Sequence, residues 1–356
     1  MSALDWVAGL SPWPADGFGL ERMHGLLGDL GNPQLAFPAV HVVGTNGKST
    51  ATVTIEQVLL AEGLSTGATI SPHVRSFSER IRLDGSEIDF EDAVTRVRAA
   101  GERNGATQFE VITAAALAAF AEAGVDVAVV EAGLGGRLDA TNVLSSRVVL
   151  LTNVGLEHID VLGGTRAEIA REKLAVAHDD NTIVVLPDDA FAGLVPRGRI
   201  VLGGAREAAE AFLGRAVAAL PEVQLPGRLE RRPGEIRDGA HNLDGVHWLL
   251  ARLPPGDFTI CASILADKDV EAMLCAFATV GSRFVATSSS NARALSAAAL
   301  ARSAEAHFPL VEAISEPLAA LRRAHALGEP VLVAGSLYLL ADLAAAERSR
   351  PDRNPR

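Results

Sequence analysis

From Ala39 onward the chain repeats one pattern: a short run of β-branched and aliphatic residues, a break, then a longer stretch with helical spacing. "AVHVVG", "VDVAVVEAG", "SRVVLLTN" and "NTIVVLP" show no polar–apolar alternation, so each reads as a strand buried on both faces. "QFEVITAAALAAFAEAG", "RAEIAREKLAVAH" and the segment 48–63 read as helices, the last ended by Gly63. This alternation predicts a mostly parallel sheet with helices on both faces. Three prolines and a basic run interrupt it in "LPEVQLPGRLERRPGE", residues 220–235. It restarts with "GEIRD", "DFTICAS", "SRFVATS" and "PVLVAGS", each followed by a helix. We therefore expect an α/β domain over residues 1–225, a smaller Rossmann-like α/β domain over 226–347, and a disordered tail over 348–356.

Composition narrows the class of protein. Hydrophobic residues make up 48% of the 356, ample for buried cores. No apolar run reaches about 18 residues and no signal pattern opens the chain, so a cytoplasmic protein without a membrane partner is expected. A formal net charge of −12 argues against a nucleic-acid partner. Cys261 and Cys275 stand 14 apart with no C-x-x-C, and both read as ordinary buried thiols.

The chemistry begins at "HVVGTNGKST", residues 41–50. A strand, a Gly-containing turn and a helix is the context in which backbone N–H groups converge on an anion. The usual phosphate-loop spelling would want glycine at position 42, where Val42 stands; the glycine comes late, at Gly44. On this reading Gly44, Thr45, Asn46, Gly47, Lys48, Ser49 and Thr50 hold nucleotide, with Lys48 reaching the β- and γ-phosphates. Glu131 closes a buried strand just before a glycine-rich turn, a place suited to a metal ligand. "GLGG" lacks the third glycine and the following helix of a dinucleotide fingerprint. Lys173 lies beside an apolar stripe and faces inward.

"GTNGKST" is the spelling of the Mur ligase superfamily, which joins a carboxylate to an amine at the expense of ATP. Within it the chain resembles the folylpolyglutamate synthase/dihydrofolate synthase family. The likeness runs through "FGLERMHGLLGDLGNPQ" (18–34), "SPHVRSFSERIRLDG" (71–85), "QFEVITAAALAAF" (108–120), "EAGLGGRLDATN" (131–142), "GLEHIDVLGGTRAEIAREK" (155–173) and "PGRLE…DGAHN" (226–242). It covers nearly the whole chain and thins between residues 174 and 225.

The resemblance implies a P-loop-type, mostly parallel ATPase domain followed by a Rossmann-like glutamate-ligase domain. It also implies ATP and one or two Mg²⁺ ions as cofactors. Ser71 and Glu131 would hold the first ion and His158 would help hold a second. Lys173 would be carbamylated, which turns a cation into a carboxylate-like ligand. Arg228 and Asp238 would face the nucleotide across an interdomain cleft, and His241 the incoming glutamate. Lys48, His158, Lys173, Asp238 and His241 would then carry the catalysis. The implied substrates are ATP, L-glutamate and a folate or dihydropteroate, handled by a monomer.

The chain departs from the family pattern at Leu174, where a small residue is usual, and at Leu243, which replaces proline. Its stretch 178–225 is short and lacks the asparagine-containing segment of the adenine side. One rival reading is a degenerate ATP-binding module. Another is a peptidoglycan-type Mur ligase, disfavoured because only 43 residues precede Gly44.

Overall fold

Apolar runs without alternation become interior strands because helices cover them on both sides, where β-branched side chains pack well. In a computed structural model describing residues 1–14 and 17–349, the chain divides into two units, Met1–Val223 and from Gln224 onward. The first unit holds β1 (Ala39–Val43), β2 (Thr66–Thr69), β3 (Ile81–Leu83), β4 (Ser86–Glu87), β5 (Val127–Glu131), β6 (Ser146–Leu151), β7 (Ile183–Leu186) and β8 (Arg199–Leu202). They form one sheet in the order β4-β3-β2-β5-β1-β6-β7-β8. All neighbours are parallel except the β3–β4 hairpin, which joins β2 antiparallel.

β1 sits at the centre and is buried at every residue. Its period-2 side chains split between the two layers. Val40 and Val42 pack with Ile55, Val58 and Leu59 of the helix Lys48–Ala61 and with Ala208 and Phe212 of the helix Ala205–Leu213. Val43, on the other face, joins Ile169, Ala170 and Leu174 of the helix Arg166–Leu174. Thr107 and Glu110 form a capping box that starts the helix Gln108–Ala123, and Gly124 ends it in the left-handed region at φ 65°. Thr165 and Glu168 repeat the box at Arg166–Leu174.

The second unit carries β9 (Glu230–Arg232), β10 (Glu235–Arg237), β11 (Thr259–Ala262), β12 (Arg283–Ala286), β13 (Leu310–Ala313) and β14 (Val331–Ala334). Their order is β13-β12-β11-β14-β10-β9, parallel except for β9.

Several expectations need correction. The basic run read as an interruption is β9, paired antiparallel with β10, and its Arg232 meets Glu230 and Glu347. Within the short stretch 178–225 the helix Ala205–Leu213 stops at Leu213, because Gly214 turns left-handed at φ 71°. Cys275 is exposed on the helix Val270–Phe277, whereas Cys261 is buried in β11. The expected tail begins too early: Arg348 closes the helix Leu337–Arg348, and residues 350–356 lie outside the described residues. Strands β8 and β13 were not anticipated. Both are largely exposed edge strands, where the buried-run signal is weak. Among the described residues no helix is long and apolar enough to cross a membrane.

His41 is the one ionisable side chain in β1, fully buried, with Nε2 2.7 Å from Thr141 Oγ1. Burial, helped by the nearby His178, pushes its pKa from 6.5 down to about 3. The unfolded chain therefore binds a proton that the folded chain refuses. The contribution of His41 is complete above 6.5 and is lost as pH falls toward about 3. Across that window stability should fall by about 1.4 kcal/mol per pH unit for this one proton. Denaturant titrations at a series of pH values should show a steeper loss on acidification in the native chain than in His41→Gln, the difference approaching that slope; equal slopes would refute the assignment.

Candidate active site

The turn after β1 is shaped by its neighbours. Gly44 has φ 150°, and a Cβ there would stand 1.9 Å from Thr152 Oγ1 at the end of β6. Only glycine fits both constraints. Gly47 then enters the helix Lys48–Ala61 at φ 79°, and no side chain caps that helix. Its first N–H groups have no intrahelical acceptor, and the helix dipole adds positive potential there.

Around this terminus the structure gathers several candidates. Lys48 Nζ lies 4.0 Å from Glu131 Oε1 and donates to the Thr45 carbonyl at 3.4 Å. Glu131, the last residue of β5, is 3% exposed, and its Oε2 accepts the Ser71 N–H at 2.9 Å. Ser49 Oγ donates to the Ser71 carbonyl at 3.4 Å. Parallel pairing makes this convergence possible: Val42 sits in register with Glu131 on one side and Leu150 on the other, so the ends of β1, β5 and β6 align.

Lys173 reaches the same turn from behind. It is 5% exposed, and its Nζ donates to the Gly44 carbonyl at 2.7 Å. Burial, reinforced by the charge of Lys48, lowers its pKa from 10.5 to about 7. Leu174, the unusual residue beside it, is fully buried among Val43, Ile169 and Ala170, so its bulk is absorbed by the core. His158 takes a left-handed conformation at φ 52°, with Nε2 3.9 Å from Glu157 Oε1.

Arg228, Asp238 and His241 form a separate group in the second unit. Asp238 accepts the N–H groups of Leu229 at 2.6 Å and Ala240 at 2.8 Å. Burial raises the Asp238 pKa, against the pull of those bonds and of Arg228. Arg228 Nη1 donates to the Gly227 carbonyl at 3.2 Å, and His241 Nδ1 donates to the Gly239 carbonyl at 2.8 Å. Leu243 opens the helix Leu243–Leu250, a first-turn position where proline would also fit, and Asn242 caps it.

The residues present suit a magnesium ion that shares its shell with phosphate. Among the described residues no group of three or more His, Cys, Asp or Glu side chains forms a closed metal cage. A buried carboxylate that accepts the Ser71 N–H, with the Ser49 hydroxyl on the Ser71 carbonyl at an uncapped helix end, is a sparse, hard-oxygen set of the kind Mg²⁺ takes with phosphates. Lys173 as an ammonium fits no such set, whereas its amine is close to half neutral near pH 7.

Thr152, Asn153 and Asp139 also shape the site, although residue type alone does not mark them. Asp139, fully buried by its surroundings, accepts the N–H groups of Leu134 at 2.7 Å and Thr141 at 3.0 Å, folding the turn after Glu131. The Asp-x-Thr spacing in "LDAT" was the available signal.

Residues 42–198 match the Mur ligase middle domain. The dihydrofolate synthase/folylpolyglutamate synthase of Mycobacterium tuberculosis is 33% identical over 381 residues, covering 81% of this chain and 78% of the relative. The folylpolyglutamate synthase of Lacticaseibacillus casei is 32% identical over 399 residues, covering 90% and 92%. The crystal structure of a bifunctional folylpolyglutamate synthase/dihydrofolate synthase from Yersinia pestis, complexed with AMPPNP and a Mn ion, superimposes with a TM-score of 0.84. Its identity is 27%, over 98% of each chain.

Gly44 and Gly47 should respond differently to a methyl group. Gly47→Ala meets no atom within 4 Å and suffers only its positive φ, a cost of about 1–2 kcal/mol. Gly44→Ala adds the collision with Thr152 and should cost on the order of 3 kcal/mol or more. Unfolding free energies of the two variants measure the difference; equal losses would show that Thr152 does not set the turn.

Proposed function

Because the chain belongs to the folylpolyglutamate synthase/dihydrofolate synthase family of the Mur ligases, we propose that it ligates L-glutamate to a folate, to dihydropteroate, or to both. The reaction consumes ATP and releases ADP and phosphate. The observation that carries this reading is the uncapped helix end at Gly47, with Lys48, Glu131 and Ser71 arranged around it. ATP, glutamate and folates are pools of the cytoplasm, where we place the enzyme.

An amine cannot displace oxide from a carboxylate, since oxide is too poor a leaving group. Transfer of the γ-phosphoryl group to the substrate carboxylate gives an acyl phosphate, and the glutamate amine then displaces phosphate. Such transfers depend on alignment and charge neutralisation more than on covalent help from the protein. The N–H groups at the start of the helix Lys48–Ala61 and the Lys48 ammonium would cradle the phosphates, with Gly44, Thr45, Asn46, Gly47, Ser49 and Thr50 forming the turn. Mg²⁺, held by Ser71 and Glu131 and at a second position with His158, would supply neutralising charge to the transferred group.

Lys173 is poised for carbamylation. Its neutral Nζ attacks the carbon of CO₂, forms an N–C bond and releases one proton, leaving a −1 carbamate. That converts a buried amine, costly as a cation beside Lys48, into a metal-binding oxyanion. In the second unit Arg228 and Asp238 would engage the nucleotide, and His241 the glutamate. The Nδ1 donation of His241 to Gly239 fixes the ring and its tautomer.

Purified protein with Mg-ATP and glutamate should release ADP when dihydropteroate, a reduced folate, or either one is supplied. No ADP release with either substrate would overturn the reading in favour of a non-catalytic ATP-binding member. Lys173→Ala should lower kcat on the order of 100-fold and be partly rescued by short carboxylates. Carbamate forms from the neutral amine, whose fraction rises as pH climbs through about 7. Bicarbonate should therefore restore CO₂-depleted enzyme better at about pH 8 than at about pH 6. Recovery indifferent to bicarbonate would remove the carbamate from the mechanism.

A further inference from the structure

The phosphate-loop candidate is gripped along one side by the segment that follows β6. Asn153 spans the backbone of a single loop residue: its Oδ1 accepts the Asn46 N–H at 2.9 Å, and its Nδ2 donates to the Asn46 carbonyl at 3.2 Å. Thr152 Oγ1 donates to the same carbonyl at 2.8 Å. The backbone completes the grip. Thr45 N–H donates to the Asn153 carbonyl at 3.1 Å, and Gly155 N–H donates to Thr45 Oγ1 at 3.0 Å. Two consecutive loop residues, Thr45 and Asn46, are thus held by residues 152–155, and three residues further on the chain reaches His158 in its left-handed conformation.

This arrangement does more than satisfy polar groups. A side-chain amide that engages both the N–H and the C=O of one residue fixes the orientation of the two peptide planes that flank it, here 45–46 and 46–47. With the Asn46 N–H directed to Asn153, the N–H groups presented to an anion are those that open the helix at Lys48, which no side chain caps. An anion that orders this helix end also orders Asn46, and Asn46 has nowhere to move without taking Asn153 along. The segment leading to His158 must follow.

We propose that Asn153, supported by Thr152, is a positioning residue that couples occupancy of the phosphate loop to the placement of His158. The inference rests on the nucleotide reading of the loop given above. Asn153 touches neither phosphate nor metal in this scheme; it acts through Asn46 on one side and through the 152–158 backbone on the other.

Hydrogen–deuterium exchange with and without ADP separates the alternatives. In the native chain ADP should slow exchange in peptides covering both 44–50 and 152–160. Asn153→Ala should keep the ADP effect at 44–50 and weaken it at 152–160, where the Thr152 and backbone bonds remain, with kcat reduced on the order of tenfold and KM for ATP changed by less. Thr152→Ser, which keeps the hydroxyl, should behave as the native chain. If Asn153→Ala does not fold, Asn153→Asp reads the same coupling, because it retains the acceptor for Asn46 N–H and loses the donor to its carbonyl. Native-like ADP protection at 152–160 together with native kcat in either variant would overturn the proposal and leave Asn153 a structural residue. A native chain that shows no ADP protection in either segment would overturn the nucleotide reading itself, a distinguishable result.

Discussion

Two lysines reach one turn, and one of them is buried more deeply than the other. Lys48 keeps 16% of its side chain exposed beside Glu131, while Lys173 is buried against the Gly44 carbonyl at 2.7 Å. Two ammonium groups cannot both remain charged at low cost where solvent is excluded. The burial of Lys173 resolves the conflict by bringing its amine toward neutrality near pH 7, and the charge of Lys48 adds to the shift. The division of labour follows. In the proposed mechanism the part-buried Lys48 would serve as counter-charge to phosphate, and the more deeply buried Lys173 would be available for chemistry that only a neutral amine performs.

The surrounding fold keeps that buried amine in reach. A Cβ at Gly136 would stand 2.5 Å from the Lys173 carbonyl, so a glycine lets the turn after β5 lie directly against the helix Arg166–Leu174. Arg137 N–H donates to the Glu172 carbonyl at 3.0 Å, and Ile169 and Leu174 anchor the helix in the core behind Val43. Glu131 and Lys173 therefore belong to two elements locked by backbone contact, and a displacement of either would carry the other. The second unit uses a smaller device to the same end: Asp238 gathers the Leu229 and Ala240 N–H groups, holding Arg228 and His241 on one bend of chain.

Legibility in the sequence followed burial. β1, β5 and β6 were readable because all but one of their residues are buried and their runs lack alternation. The edge strands β8 and β13 were not, since the apolar runs "IVL" and "LV" are short and their residues stay largely exposed. At the site, residues whose chemistry is intrinsic to the side chain, such as Lys48, Glu131 and Lys173, stood out by type and place. Asn153 and Asp139 did not, because their part is to hold backbone, and which backbone lies opposite is decided only when distant strands pair. Leu174 shows the converse: an odd residue on the page, it is unremarkable once Ile169 and Ala170 close around it.

The spelling of the loop has the same kind of cause. Val42 is paired with Glu131 on one flank and Leu150 on the other, and Val43 still pairs with Leu151. A glycine at position 42 would place a residue without a side chain in the middle of a fully buried strand, vacating a core site shared with Ile55 and Leu59. The chain leaves the sheet one residue after Val43, and there the Thr152 hydroxyl stands so close that any Cβ is excluded. The glycine comes late because the strand runs long, and the strand runs long because β6 accompanies it to the end. The Thr152 hydroxyl that excludes a side chain at Gly44 is also the one that donates to the Asn46 carbonyl. One constraint thus sets both where the loop begins and how it is held.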